Sequence, residues 1–307
     1  MDEFKWVDML IKQTGGEDSK IGDDCAILDE CSPRILVTTD SMNRDIHYDF
    51  AYSAEEIGRK LAGVNLSDIA AMGGTPRWAV SSLNTNQPEN IEQVLEGLLQ
   101  RLNTREVALV GGDYSSMAGK RPNESFQLTV LGTIGDDFLS RSTAEPGDQI
   151  AVTGTLGGST AVRSQSPAER NRSERQILAD PPDRIDAGRS LVDQGIRCGI
   201  DISDGLWKDL TRLCNASGVG ATIDTDALPE HQTVNRYAKQ DWEALKWVIQ
   251  GGEDYELLFT IPEGIDELKL PCDYQVIGVI STTDKIEWEP ALPDPLKETP
   301  TGYDHFD

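Results

Sequence analysis

Apolar positions recur along this chain in two rhythms. ILVTTDS (35–41), WAVSSLN (78–84), VALVGGD (107–113) and SFQLTVLGTIG (125–135) are short alternating or β-branched runs that predict strands, the third entering a glycine turn. Between them the period lengthens. Ser53 followed by Glu56 is a capping box opening a helix to about Met72, with Ile57, Leu61 and Val64 on its buried side. Residues 89–103 form a second amphipathic helix, and Phe4, Val7, Leu10 and Ile11 mark a short one over 2–13.

SRSTAEPGDQ (140–149) is poor in apolar residues and carries a Pro-Gly turn, so it reads as a junction between domains 1–138 and 139–307. Beyond it QIAVTGTLGGS (149–159) is a strand entering a glycine loop, and GIDISDGLWKDL is a strand, acidic turn and helix. DAGRSLVDQG is helical, GGEDYELLFTIP is a glycine turn entering a strand, and QVIGVIS (275–281) is a further strand. Residues 163–184, charged and poorly periodic, are expected to be an exposed connection with some helix. Interleaved strands and helices give an α/β (α+β) class in two domains. Gly-Gly before an acid occurs once in each half, at 111–113 and 251–254, which hints at related halves.

The 307 residues carry 53 acids against 28 Lys and Arg, a net charge of -25. That disfavours backbone-driven nucleic-acid binding and a polybasic membrane contact. No apolar run approaches the roughly 18 residues of a membrane span, and MDEFKWVDML lacks a signal-peptide core, so a cytoplasmic location is expected. Five cysteines without a CxxC pair and only three histidines offer neither a disulfide framework nor a His-rich metal centre.

The chemistry lies in acids that follow apolar runs: Asp23 and Asp24, Asp40, Asp113, Asp201 and Asp204. Asp68 joins them on the helix, four residues after Val64. Many acids in such a chain are solvated surface groups, but local periodicity directs Asp40 and Asp68 inward, and Asp201 follows the apolar run at Ile200. Carboxylates of this kind suit hard cations such as magnesium, which bridge protein oxygens to phosphate. TGTLGGS, GGD and ISDGL are glycine loops whose backbone N–H groups suit anions. Arg141 and Lys208 offer charge to a phosphate, and His47 follows Asp40 by seven residues. A Walker A loop, a dinucleotide fingerprint, a protein-kinase motif set and a GxSxG elbow are absent, so phosphoryl chemistry requires another fold.

IGDDCAIL, VTTDS with His47, RKLAGVNLSDIAAMGGTP, GGD, VTGTLGGS, DISDGL, GGEDYELLF and the terminal GYDHF, in that order, resemble the thiamine-monophosphate kinase family over nearly the whole chain. The wider superfamily resembled is that of aminoimidazole ribonucleotide synthetase and selenophosphate synthetase. The resemblance implies a two-domain fold whose N-terminal mixed sheet dimerises and whose C-terminal α/β domain completes the substrate site. It implies direct transfer of the ATP γ-phosphoryl group to thiamine monophosphate with several magnesium ions, and leaves potassium dependence open. Carried over by motif, Asp24, Thr38, Thr39, Asp40, Asp68, Asp113, Asp201 and Asp204 match the metal shell. Gly112, Asp113, Arg141 and Ser203 match nucleotide positions, and His47, Glu253 and Tyr303 match positions holding thiamine phosphate.

The chain departs from the family in places. Tyr114-Ser115-Ser116 replaces Thr-Thr-Arg after GGD, which removes an expected phosphate contact that Lys120 or Arg121 is placed to replace. Gly158 stands where an acid is common, Tyr48 replaces Phe after His47, and LADPPDRIDAG (178–188) lacks the usual His and Arg. The departures keep two further readings open: a superfamily kinase or synthetase with a different acceptor, and a binding protein without turnover.

Overall fold

The computed structural model describes residue 12 and residues 22–119, 121–265, 267–297 and 302. The helix expected over 2–13 falls, but for residue 12, outside the described residues, as do Lys120 and Tyr303.

The first half builds one five-stranded sheet from β1 (Ala26–Leu28), β2 (Arg34–Asn43), β3 (Thr75–Thr85), β4 (Ala108–Ser116) and β5 (Glu124–Ile134), in the order β1-β2-β5-β3-β4. All neighbours are antiparallel except β3 and β4, which need a crossover and obtain it from α2 (Ile91–Asn103). Along β5 the period-two pattern is plain: Phe126, Leu128 and Val130 are buried, and Gln127 between them is exposed. The glycines of GGD lie inside β4 rather than in a turn after it. The parallel ladder to β3 continues from Trp78↔Ala108 to Thr85↔Ser116 past a single register shift.

The helix α1 (Ala54–Ala71) lies on the buried face of this sheet. Its capping box forms as expected: the Glu56 N–H donates to the Ser53 hydroxyl, and the Ser53 N–H donates to the Glu56 carboxylate. Two glycines let α2 approach closely. A Cβ on Gly58 would stand 2.0 Å from the Val94 carbonyl oxygen, and one on Gly97 would stand 1.9 Å from that of Glu55. Helices α1 and α2 therefore meet backbone to backbone.

The second half carries a six-stranded sheet in the order β11-β8-β10-β6-β9-β7. Its strands are β6 (Gln149–Thr153), β7 (Gly199–Asp201), β8 (Gly220–Asp224), β9 (Leu257–Ile261), β10 (Tyr274–Ser281) and β11 (Ile286–Glu289). The helices packed with it are α3 (Gly158–Arg163), α4 (Arg172–Ala179), α5 (Ile185–Asp193), α6 (Leu206–Ser217), α7 (Gln232–Tyr237), α8 (Asp241–Gln250) and α9 (Asp294–Lys297). One apolar core lies wholly within this half. The other crosses the seam, gathering Leu36, Leu61 and Ile69 with Ile185, Leu191 and Phe259.

Residues 163–184 are not the exposed connection that their charge suggested. Arg170, Glu174, Leu178 and Ala179 are buried there. The charges are spent across the seam, with Arg170 on Asp49 at 2.6 Å, Arg101 on Asp180 at 3.4 Å and Arg105 on Asp183 at 2.6 Å. The two Gly-Gly-acid segments also occupy unlike settings, 111–113 in a strand and 251–254 in irregular chain.

Candidate active site

A cleft of about 1200 Å³ opens along the seam. Three segments deliver acids to its floor: the turn before β1 brings Asp24, the last turns of α1 bring Asp68, and the end of β7 brings Asp201. Their carboxylates offer oxygens within 4.8 Å of one another. Thr38 on β2 donates its hydroxyl to Asp68, and Ser67 donates to Asp201 at 2.6 Å. Asp40 lines the same cleft, its backbone N–H donating to Asn65 Oδ1 at 3.1 Å.

Burial, and then the charges of Asp40, Asp201 and Asp24, push the Asp68 carboxyl well above the ordinary carboxylate range. Burial and Asp24 push Asp201 the same way. Arg141 supplies a local cation, with Nη2 2.6 Å from Asp24 Oδ1. Among the described residues, Asp24, Asp68 and Asp201 gather more negative charge than the Arg141 guanidinium offsets, an arrangement whose cost a hard divalent cation would remove. The donor set fits such an ion: carboxylates oriented by hydroxyl donors from a surrounding layer.

At the end of the cleft nearest α6, Ser203 and Asp204 occupy a loop drawn tight by buried Asp209. The Asp209 Oδ2 accepts from the N–H groups of Asp204 and Gly205, at 3.0 and 3.1 Å. Arg212 spans Asp209 and Asp204 at 2.7 Å each, and Lys208 lies 3.3 Å from Asp204. Asp204 is thus in the cleft but paired with cations, outside the three-acid cluster. The 251–254 segment presses onto this loop; a Cβ on Gly252 would stand 2.7 Å from the Ser203 carbonyl oxygen, which explains its glycine. Gly302 abuts the same loop, where a Cβ would meet the Asp204 carbonyl oxygen at 2.7 Å. The residue preceding Tyr303 therefore stands at the cleft, and Tyr303 itself lies outside the described residues.

His47 and Glu253 line the same cleft, and the Glu253 N–H donates to the Ser203 carbonyl oxygen at 2.7 Å. The Asn43 N–H donates to His47 Nδ1 at 2.9 Å, so the neutral ring carries its proton on Nε2. Glu253 adopts φ 67°, a left-handed conformation uncommon for a residue with a side chain. Its Oε2 receives Lys60 Nζ at 2.8 Å and Arg163. Burial opposes the Glu253 charge, but these two cations prevail and hold its pKa below the usual value.

Three residues predicted for the site are elsewhere in this chain. Thr39 alternates to the exposed face of β2, where its hydroxyl bonds the Leu128 carbonyl oxygen at 3.1 Å. Gly112 and Asp113 lie exposed on edge strand β4. Asp40, Leu128, Ser81 and Gly112 form one row across the sheet, so three strand spacings of about 4.8 Å separate Gly112 from Asp40 by about 14 Å.

Several departures have local explanations. Tyr48 uses its hydroxyl to reach Glu124 at 3.1 Å, beside the 2.7 Å Arg44–Glu124 pair. The His231 ring fills the space beside Gly158, where a Cβ would meet it at 2.8 Å. Arg121 lies in a loop tied down by Asn86, exposed and away from the cleft lining.

Sequence reasoning missed Lys60, Ser67, Arg163, Asp209 and Arg212. Lys60 alone carried a readable signal, since it shares the helical face of Val64 and Asp68 at intervals of four.

Comparison with known proteins follows the same two halves. Residues 22–134 match the family described as AIR synthase related protein, N-terminal domain, and residues 145–285 match its C-terminal domain. The chain is 36% identical to thiamine-monophosphate kinase of Salmonella typhimurium, covering 93% of this chain and 91% of that protein. It is 33% identical to thiamine-monophosphate kinase of Aquifex aeolicus, covering 100% and 98%. A solved structure described as AaThiL complexed with AMPPCP and TMP superimposes with a TM-score of 0.87 and 29% identity over 99% of this chain and 97% of that one.

Proposed function

Since the chain belongs to the thiamine-monophosphate kinases, within the AIR synthase related fold, we infer that it transfers the γ-phosphoryl group of ATP to thiamine monophosphate, giving thiamine diphosphate and ADP. The observation that carries the reading is the cluster of Asp24, Asp68 and Asp201 at a cleft of about 1200 Å³ that both halves line.

The acceptor is already a phosphate anion, so no strong base is required to activate it. One of its oxygens forms the new bond to the γ-phosphorus as the bond to the β-phosphate oxygen breaks, and ADP leaves. The difficulty is to bring two anions in line. We assign Asp24, Asp40, Asp68 and Asp201, with Thr38 and Asp204 beside them, as the groups that would hold several magnesium ions. When bound, these ions supply neutralising charge to both phosphates. Arg141 and Ser203 receive the nucleotide phosphates. Beside them, the neutral tautomer of His47 presents its Nε2–H as the donor to the acceptor phosphate, and Glu253 and Tyr303 hold the remainder of thiamine phosphate.

Thr39, Gly112 and Asp113 enter this scheme through a second copy. Trp78, Val80, Val110 and Tyr114 leave an apolar exposed surface on β3 and β4, the composition of an interface core. We propose a homodimer formed through this sheet, in which Gly112 and Asp113 of one copy complete the cleft of the other. Residues 1–138 then provide most of the metal site and the dimer, and residues 139–307 complete the substrate site.

The direct test is chromatographic. Purified protein with ATP, magnesium and thiamine monophosphate should yield thiamine diphosphate and ADP in equal amounts, and neither without acceptor. Absence of both products, or ADP alone, would overturn the reading.

A further inference from the structure

Lys60 is fully buried, and phosphoryl transfer gives it no direct task. A buried ammonium is expensive unless its donors are well matched. Those of Lys60 are matched by two segments that do face substrate: Nζ donates to Glu253 Oε2 at 2.8 Å and to the His47 carbonyl oxygen at 2.8 Å. The Tyr52 ring covers it, its centroid 5.5 Å from Nζ. One cation thus joins the His47 turn of the first half to the Glu253 segment of the second.

Its place on α1 gives that junction a length. Lys60, Val64 and Asp68 recur at intervals of four on one helical face, and Val64 and Asp68 both line the cleft. Eight residues at 1.5 Å each place Lys60 about 12 Å along the helix from Asp68. A single rigid element therefore carries an acid of the transfer cluster at one end and the anchor of both acceptor-holding residues at the other. Arg163 approaches the same Oε2, which leaves Oε1 as the Glu253 oxygen available to a donor on the acceptor.

We propose that Lys60 is a positioning residue for the phosphate acceptor: it fixes Glu253 and the His47 turn at a set distance from the acid cluster, and thereby governs acceptor binding but not nucleotide binding. The proposal rests on the kinase reading above, which the wild-type product assay tests separately.

The experiment compares Lys60→Met, Glu253→Gln and the double variant by calorimetric titration with thiamine monophosphate and, separately, with the ATP analogue AMPPCP plus magnesium. Lys60→Met should weaken thiamine monophosphate binding about tenfold or more and leave the nucleotide within about twofold, and KM for the acceptor should rise more than kcat falls. The double variant should lose less than the sum of the two single losses, since part of the Lys60 effect passes through that carboxylate and the rest through the His47 turn. Unchanged acceptor affinity, equal loss of both ligands, or additive losses in the double variant would each overturn the proposal. If Lys60→Met alone does not fold, the double variant removes the Lys60–Glu253 pair together and leaves Arg163 as in Glu253→Gln, and a further loss of acceptor affinity relative to Glu253→Gln, with the nucleotide unchanged, still reads the His47 anchor.

Discussion

Ser67 on α1 donates a 2.6 Å hydrogen bond to Asp201 at the end of β7, and that bond joins the two halves of the molecule at the centre of the acid cluster. The donor favours the ionised carboxylate and so works against the rise that burial and Asp24 impose on Asp201. Ser67→Ala should preserve the fold at a cost of about 1–2 kcal/mol and weaken magnesium binding about tenfold. Denaturant melts and a calorimetric magnesium titration read the two effects; unchanged magnesium affinity would show that Ser67 does not tune the site.

Asp68→Asn separates catalysis from folding. Asp68 is raised by burial and by three neighbouring acids, so removing its charge relieves repulsion in the metal-free protein. The variant should melt no lower than wild type without magnesium, lose most of the stabilisation magnesium provides, and transfer phosphate roughly a hundredfold to a thousandfold more slowly. A collapsed circular-dichroism melt without magnesium would contradict this.

Asp254 makes a pH prediction away from the cluster. Burial pushes its pKa from 3.8 to about 8, against the hydrogen bond from the Gly157 N–H. The folded protein then keeps a proton that the unfolded chain releases, so this group stabilises below about pH 4, and its contribution is lost as pH rises toward about 8. Asp254→Asn retains an acceptor for Gly157 without the charge. Between pH 5 and 8 its unfolding free energy should decline less steeply than that of wild type, by on the order of a few kcal/mol; parallel slopes in urea titrations would refute the assignment.

The two-copy site predicts complementation. Asp68→Asn and Asp113→Asn should each be nearly inactive alone. After subunit exchange of an equal mixture, half the dimers are mixed and each holds one intact site, so activity should recover to about a quarter of wild type. No recovery, with exchange verified by mass, would place Asp113 and Asp68 in one chain's site.

The parts of this molecule legible in sequence are those governed by local rules. Ser53 and Glu56 announce α1 because a capping box is satisfied within four residues, and Asp68 is legible because helical spacing sets it beside an apolar stripe. What escaped depends on the partner. GGD read as a turn because glycine breaks most strands, yet pairing with β3 carries β4 through it. The charges of 163–184 read as solvated because their counter-charges, Asp49 and Arg105, lie far away in sequence. The cations beside Asp204 were not legible because nothing local reveals Arg212 folding back from the next helix.

The close contact at Gly58 and Gly97 has a mechanical consequence. With their backbones touching, α1 and α2 cannot slide or turn independently, so Asp68 is held at a fixed place on the first sheet while Asp201 meets it from the second half. Like charge held across that junction is a standing repulsion inside a packed seam, which a cation seated between the two carboxylates would remove.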